Sequence, residues 1–275
     1  MPSDEQTTFL RTRAALAQAC HPGPTFAVTV LTGLLWLALT DWGGSGVVVT
    51  LAVFTGQLTI GWSNDLIDAP RDRAVARDDK PLVTGELSES LVRRAIGVAG
   101  IACLVLSFMC GWRSALVHLF LGVGSGWAYN LGLKRTAWSA VPYAVAFGAL
   151  PAVVSLSLPA RSWPPVWMMA TGAVLGVGAH LLNALPDLAD DDATGVRGLP
   201  QRLGAPRVRV IAPAVLLAGS VVATVGPGGV VPTGAWVGLG VCVVLALVAV
   251  LGRGKAPFVA AIGIALVDVA VLILR

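Results

Sequence analysis

Seven of the chain's 15 acidic residues fall in two short stretches, each following a long apolar run. The first is Asn64-Asp65-Leu66-Ile67-Asp68-Ala69-Pro70-Arg71-Asp72, which sets Asp65, Asp68 and Asp72 at i, i+3 and i+7, one face of a helix. The second, about 120 residues later, is Asp187-Leu188-Ala189-Asp190-Asp191-Asp192. Here Asp187 and Asp191 stand at i and i+4, while Asp190 and Asp192 point elsewhere on a regular helix. Carboxylates at the mouths of apolar helices are costly unless something cationic sits between them. Two aspartate faces opposed across a cavity offer hard oxygen ligands for Mg2+, which keeps several waters and bridges to phosphate oxygens of a substrate. Pro70 can kink the first face. The alternative, two solvated acidic loops, fits poorly with their position at helix ends.

The neighbouring residues suit the same chemistry. Asn64 and Asn183 each precede the carboxylates, and Asn183 shares a face with Asp187, so either amide could complete a metal shell or hold a carboxylate. Arg71, Lys80, Lys134, Arg197 and Arg202 could supply counter-charge to a diphosphate, with Lys80 and Lys134 singled out by their context. Trp62, Trp127 and Tyr129 lie at helix ends, as interfacial anchors or as π faces that shield a carbocation. His180 reads as a pore-lining or packing histidine, and His21 and His118 show no partner in the sequence. Gly122-Val123-Gly124-Ser125-Gly126 lies inside an apolar helix with no strand before it, which favours close helix packing over a nucleotide loop. The scattered Cys20, Cys103, Cys110 and Cys242 suggest small buried residues.

The elements that must position these groups are membrane helices. Hydrophobic residues make up 56% of the chain and charged residues 12%, about half the usual charge of a soluble domain. Nine apolar segments approach the ~20 residues of a spanning helix: 25–40, 47–63, 91–110, 114–130, 139–157, 165–184, 208–226, 234–252 and 256–274. We expect an all-α integral membrane bundle of nine transmembrane helices around a central cavity. It should form a single domain over residues 1–275, with motif loops at about 63–90 and 183–207. Residues 4–20 suit a short amphipathic helix at the interface, and the charged loop after the first motif has the length of a functional lid. All 19 Lys and Arg except Arg113, Arg161 and Arg275 fall on the side of the acidic motifs, so that side and the N-terminus are expected in the cytoplasm, with the C-terminus outside. The net charge of +4 reflects this asymmetry; no basic patch interleaved with aromatics points to nucleic acid.

These motifs resemble those of the UbiA superfamily of intramembrane prenyltransferases. NDxxDxxxD is matched by Asn64, Asp65, Asp68 and Asp72, and DxxxD by Asp187 and Asp191. Gly195 and the run Arg197-Gly198-Leu199-Pro200-Gln201-Arg202-Leu203-Gly204 follow the second motif, and Lys80-Pro81-Leu82 follows the first. The resemblance implies a helical bundle with a lateral opening to lipid, and two Mg2+ ions bound with an isoprenyl diphosphate by Asn64, Asp65, Asp68, Asp72, Asp187 and Asp191. Lys80 and Lys134 would contact the diphosphate. The family often shows YxxxK, whereas Tyr129 and Lys134 are separated by four residues. The arginine common before the first helix in aromatic-acceptor branches is replaced by His21-Pro22-Gly23-Pro24, which argues against an aromatic acid acceptor.

The leading expectation is therefore Mg2+-dependent transfer of a prenyl group to a lipophilic or amphipathic acceptor. A terpene cyclase of the same fold, quenching the cation within one molecule, is the alternative. An ion or metal transporter would need its carboxylates near mid-membrane, and here they lie at helix ends.

Overall fold

A computed structural model describes residues 4–40, 46–186, 188 and 195–273, and the described residues form helices and connections without strands. In chain order the α-helices are α1 (Asp4–Ala19), α2 (Pro22–Ala38), α3 (Gly46–Ala74), α4 (Pro81–Thr84), α5 (Glu89–Met109), α6 (Trp112–Leu116), α7 (Gly124–Leu131), α8 (Val141–Ser157), α9 (Val166–Ala184), α10 (Leu199–Leu203), α11 (Ala205–Val225), α12 (Thr233–Leu251) and α13 (Ala256–Ile273). A π-helical stretch, Val117–Val123, joins α6 to α7, and a 3₁₀ turn, Leu133–Arg135, follows α7.

Six helices, α3, α5, α9, α11, α12 and α13, are long and apolar enough to cross a bilayer, which with the fold makes this a multi-pass membrane protein. The apolar helices α2 and α8 are shorter. Lipid-facing stripes are visible in the exposed side chains. Val98, Ile101, Val105 and Phe108 on α5, and Val237, Val241, Val244, Val248 and Leu251 on α12, recur at helical spacing. In water such surfaces would be an aggregation liability; in lipid they are ordinary.

The helix carrying the first acidic motif differs from expectation. Where charge density alone suggests a loop from about 63, α3 continues unbroken to Ala74. Its 29 residues span roughly 43 Å at 1.5 Å per residue, against roughly 30 Å of hydrocarbon. The excess length projects the motif to the bundle's polar end while keeping it helical. Pro70 sits inside this last stretch and has no N–H to offer the Leu66 carbonyl, yet the helix passes through it. The connection proper shrinks to residues 75–88 and is interrupted by α4. Ser88 then caps α5, its Oγ accepting the Leu91 N–H at 3.2 Å.

Three apolar clusters surround the site. One joins α2, α3, the π-helical stretch and α8 through Leu35, Val53, Val117 and Val153. Another packs α9 on α11, α12 and α13 around Leu181, Leu216, Cys242 and Ile264. The third seats α1 on the motif end of α3, with Ala15 and Ala19 against Ala69, Leu82 and Val92.

Candidate active site

Asp65, Asp68 and Asp72 share the inward face of α3, as their spacing requires, and each is at least 96% buried. Three carboxylates this close repel one another, and desolvating each costs several kcal/mol, so they persist only with cationic partners. Asp65 Oδ1 lies 2.8 Å from both Lys80 Nζ and His21 Nε2. Both oxygens of Asp68 accept from Lys134 Nζ at 2.6 Å, and Arg71 adds a contact at 3.4 Å. Arg71 also reaches Asp72 at 3.3 Å. Burial pushes the Lys134 ammonium below the usual lysine range, while the Asp68 carboxylate pulls it back.

Local structure explains these placements. Lys80 precedes Pro81 at the start of α4, which lies against α3. Lys134 sits on the 3₁₀ turn. His21 occupies the turn into α2 with φ 55, and the adjoining Cys20 carbonyl lies directly on the α3 backbone at Gly61, where a Cβ would collide with it. Only glycine permits this approach, and it is what brings His21 alongside Asp65.

An amide relay orients Asn64. Asn130 donates from Nδ2 to the Ile60 carbonyl and to Ser63 Oγ, both at 2.9 Å, leaving its Oδ1 to accept from Asn64 Nδ2 at 2.9 Å. Asn64 Oδ1 accepts no hydrogen bond among the described residues, and Asn64 lines the central cavity.

That cavity, about 340 Å³, has a charged mouth and an apolar body. Asp68, Arg71, Asp72, Arg77, Lys80 and Lys134 line the mouth, and Val28, Leu31, Val53, Phe147 and Leu150 the body. A second, almost wholly apolar cavity of about 90 Å³ shares Leu31, Phe147, Leu150, Leu175 and Ala265 with it. Between mouth and body stands an aromatic group. Tyr129 meets Tyr143 edge-on at 5.3 Å, and Tyr143 stacks on Phe147 at 6.3 Å. His180 packs behind both tyrosines, 1% exposed, with Nε2 3.0 Å from Ser139 Oγ. It packs against the tyrosines, and its Nδ1 is enclosed without a hydrogen-bond partner among the described residues.

The structure gathers Asn64, Arg71, Lys80, Tyr129, Lys134 and Asn183 around the cavity with the carboxylates of Asp68 and Asp72. Asp65 stands behind Lys80, to which it is bound. Arg197 and Arg202 are not gathered there. Both are exposed, and Arg202 Nε donates to the Arg197 carbonyl at 3.0 Å, while their neighbours Val196 and Gln201 line the cavity. Asp187 and Asp191 lie outside the described residues. Of the aromatics named from sequence, only Tyr129 reaches the cavity wall; Trp62 Nε1 donates to the Leu16 carbonyl and Trp127 Nε1 to Thr59 Oγ1. His21 and His118, which show no partner in the sequence, both have one: Asp65 for the first and Ser107 for the second. Asn130, Arg77, Tyr143 and Gln201 are additions that sequence spacing does not indicate.

Among the described residues no three His, Cys, Asp or Glu converge as a metal site, because lysine and arginine interleave the carboxylates. The donor set nevertheless fits Mg2+: carboxylate oxygens and one amide oxygen without a partner, all hard ligands. An acidic rim studded with cations, opening into a hydrocarbon-lined chamber, can hold a metal-bound diphosphate at one end and an apolar chain at the other.

Residues 26–257 match the model of the UbiA prenyltransferase family. The chain is 32% identical over 156 residues to a protoheme IX farnesyltransferase of Psychromonas ingrahamii, covering 53% of this chain and 45% of that protein. It is 26% identical over 173 residues to a lycopene elongase/hydratase of Haloferax volcanii, covering 61% and 56%. It thus spans about half the length of these curated relatives. In fold it is similar to a UbiA homolog from Archaeoglobus fulgidus bound to GPP and Mg2+, with TM-score 0.69 and 17% identity over 95% of this chain and all of that one.

Proposed function

The chain belongs to the UbiA prenyltransferase family, and from that premise we propose that it ionises an isoprenyl diphosphate with Mg2+ and transfers the prenyl group to a lipophilic or amphipathic acceptor. The observation that carries this reading is the junction of a buried carboxylate–cation rim with an apolar, aromatic-walled chamber.

Asn64, Asp65, Asp68 and Asp72, with Asp187 and Asp191 from the second motif, would hold two Mg2+ ions. When bound, Mg2+ neutralises charge on the departing diphosphate. The lysines have a second role in that state. Lys80 and Lys134, now held by Asp65 and Asp68, are placed to turn their ammonium groups to phosphate oxygens once the carboxylates are otherwise engaged. Arg71 and Arg77 extend the positive rim. Tyr129 and Tyr143 present π faces where positive charge develops on the allylic carbon, and the apolar body excludes water from it. Binding of GPP and Mg2+ by the Archaeoglobus homolog, and the isoprenoid reactions named for the two curated relatives, support donor class and metal.

The same aromatic wall also suits intramolecular capture of the cation, so a terpene cyclase is the second reading. Transport is disfavoured: the aspartates on α3 sit at one helix end, each with cations against it. We further infer one domain over residues 1–275 and nine crossings, counting α2, α8 and the composite segment Trp112–Leu131 with the six long helices. Lys and Arg bias puts the N-terminus and motif end in the cytoplasm and the C-terminus outside.

The test is diphosphate release by the purified protein given Mg2+ and farnesyl or geranylgeranyl diphosphate, with the organic extract analysed by mass spectrometry. Release that requires added membrane extract, with a new prenylated mass, supports transfer. A cyclic hydrocarbon or alcohol from the diphosphate alone establishes cyclisation. No Mg2+-dependent release with any donor refutes both.

A further inference from the structure

Below the charged mouth the cavity wall carries one base that the ionisation chemistry does not use. His118 lies in the π-helical stretch, is 4% exposed, and lines the cavity. Such stretches, which interrupt the regular helical hydrogen-bond ladder, recur at functional positions. Ser107 Oγ, on α5, donates to the Cys103 carbonyl at 2.6 Å, so its remaining role toward the imidazole is as acceptor. In that role it accepts the His118 Nδ1–H at 2.8 Å. That assignment of the hydroxyl proton gives the neutral tautomer in which Nε2 carries a lone pair. Nε2 makes no hydrogen bond among the described residues, where the bond of His118 is the one at Nδ1. It lies over Gly56 of α3, where an added Cβ would stand 3.1 Å from it, and Gly122 gives the ring similar room, at 3.2 Å from Cδ2. Leaving a basic nitrogen unpaired against a hydrocarbon chamber is unfavourable, and His118, unlike the enclosed His180, lines the space that substrate would fill. Gly56 is nine residues from Asp65 on α3, roughly 13 Å along the axis, within reach of a chain or ring anchored by its diphosphate at the mouth.

We propose that His118 Nε2 is the proton acceptor that completes the reaction after diphosphate departs, and hence that the nucleophile is a carbon–carbon double bond or an aromatic ring. This rests on the prenyl-transfer or cyclisation reading above. The C1–O bond of the donor breaks with its electron pair on the diphosphate oxygen. A π pair, from the acceptor or from the donor chain itself, forms the new C–C bond to C1 and leaves a cation one carbon away. The C–H bond beside that cation then breaks; its pair closes the product double bond and its proton goes to Nε2. Water takes the proton from the imidazolium when the product leaves.

The experiment uses the full chain with Mg2+ and farnesyl or geranylgeranyl diphosphate, with and without a bacterial lipid extract as acceptor source. Diphosphate release and product masses are measured together. His118→Gln, which can still hydrogen-bond but cannot take up the proton, should release diphosphate within about threefold of the unmodified protein. Its product should shift to double-bond isomers and to the adduct of one water, because a cation that no base deprotonates at once lives long enough to rearrange or to meet solvent as the chamber opens. Ser107→Ala, which unfixes the tautomer, should shift the product the same way in smaller proportion. An unchanged product profile in His118→Gln overturns the proposal, as does diphosphate release that falls in step with product. If His118→Gln fails to fold, judged by thermal unfolding in detergent, the product ratio of Ser107→Ala decides alone. Release that persists in Asp68→Ala sinks instead the functional reading, and this inference with it.

Discussion

Two aspartates buried at opposite walls of the bundle show how surroundings assign a carboxyl its task. Asp68, on α3, faces Lys134 at 2.6 Å and Arg71 at 3.4 Å and lines the mouth of the central cavity. Asp268, on α13, faces a hydroxyl and a thiol among the described residues: Ser220 Oγ donates to it at 2.9 Å and Cys242 Sγ at 3.7 Å. It lines the second, apolar cavity. The first is an ion cluster, which on the proposed reading trades partners with an incoming charged group. The second joins α13 to α11 and α12 through hydrogen bonds from uncharged donors and belongs to the wall.

Substitutions can break that contrast. Asp68→Ala should lower Mg2+-dependent diphosphate release by about 10³-fold or more, since it removes a proposed metal ligand and the lysine's anchor together; near-normal turnover would place the chemistry elsewhere. Lys134→Met should cost about 10²-fold in the same assay. It should also lower the thermal midpoint by leaving Asp68 with Arg71 alone, and Asp68→Asn in the same chain should restore much of that loss, because a neutral pair costs less to bury than a lone charge. Lys80→Ala should be milder, about tenfold, because His21 remains on Asp65. Asp268→Asn should change release by less than about threefold and stability by about 1 kcal/mol or less, measured by unfolding in detergent. A loss as large as that of Asp68→Ala would make the α13 wall part of the reaction.

The carboxylate face of α3 was legible because side chains at i, i+3 and i+7 must share a face wherever the helix persists. Lys80 and Lys134 were legible from their setting beside the motifs. The extent of α3 was not: a charged stretch with Pro70 reads as a loop, and only the packing of α1 and α4 on this end of α3 shows why it stays helical. Nor were the partners of the histidines. His21 reaches Asp65 across 44 residues because Gly61 admits a neighbouring backbone, and His118 meets Ser107 across a helix turn-around. In uniformly apolar helices periodicity does not say which side faces inward. The cavity-lining roles of Val196 and Gln201, beside the charged Arg197 and Arg202 that the sequence singles out, were not legible either.

The stretch after the second motif is not an independent module. Gly198 lies on the Lys134 carbonyl, where a Cβ would come within 2.6 Å, and Ser139 Oγ accepts the Leu199 N–H at 2.8 Å while contacting His180. Anyone building chimaeras between this chain and a relative should therefore treat residues 133–139 and 197–204 as one heritable unit. Exchanging either alone would detune the lysine that holds Asp68, even if every acidic residue were kept.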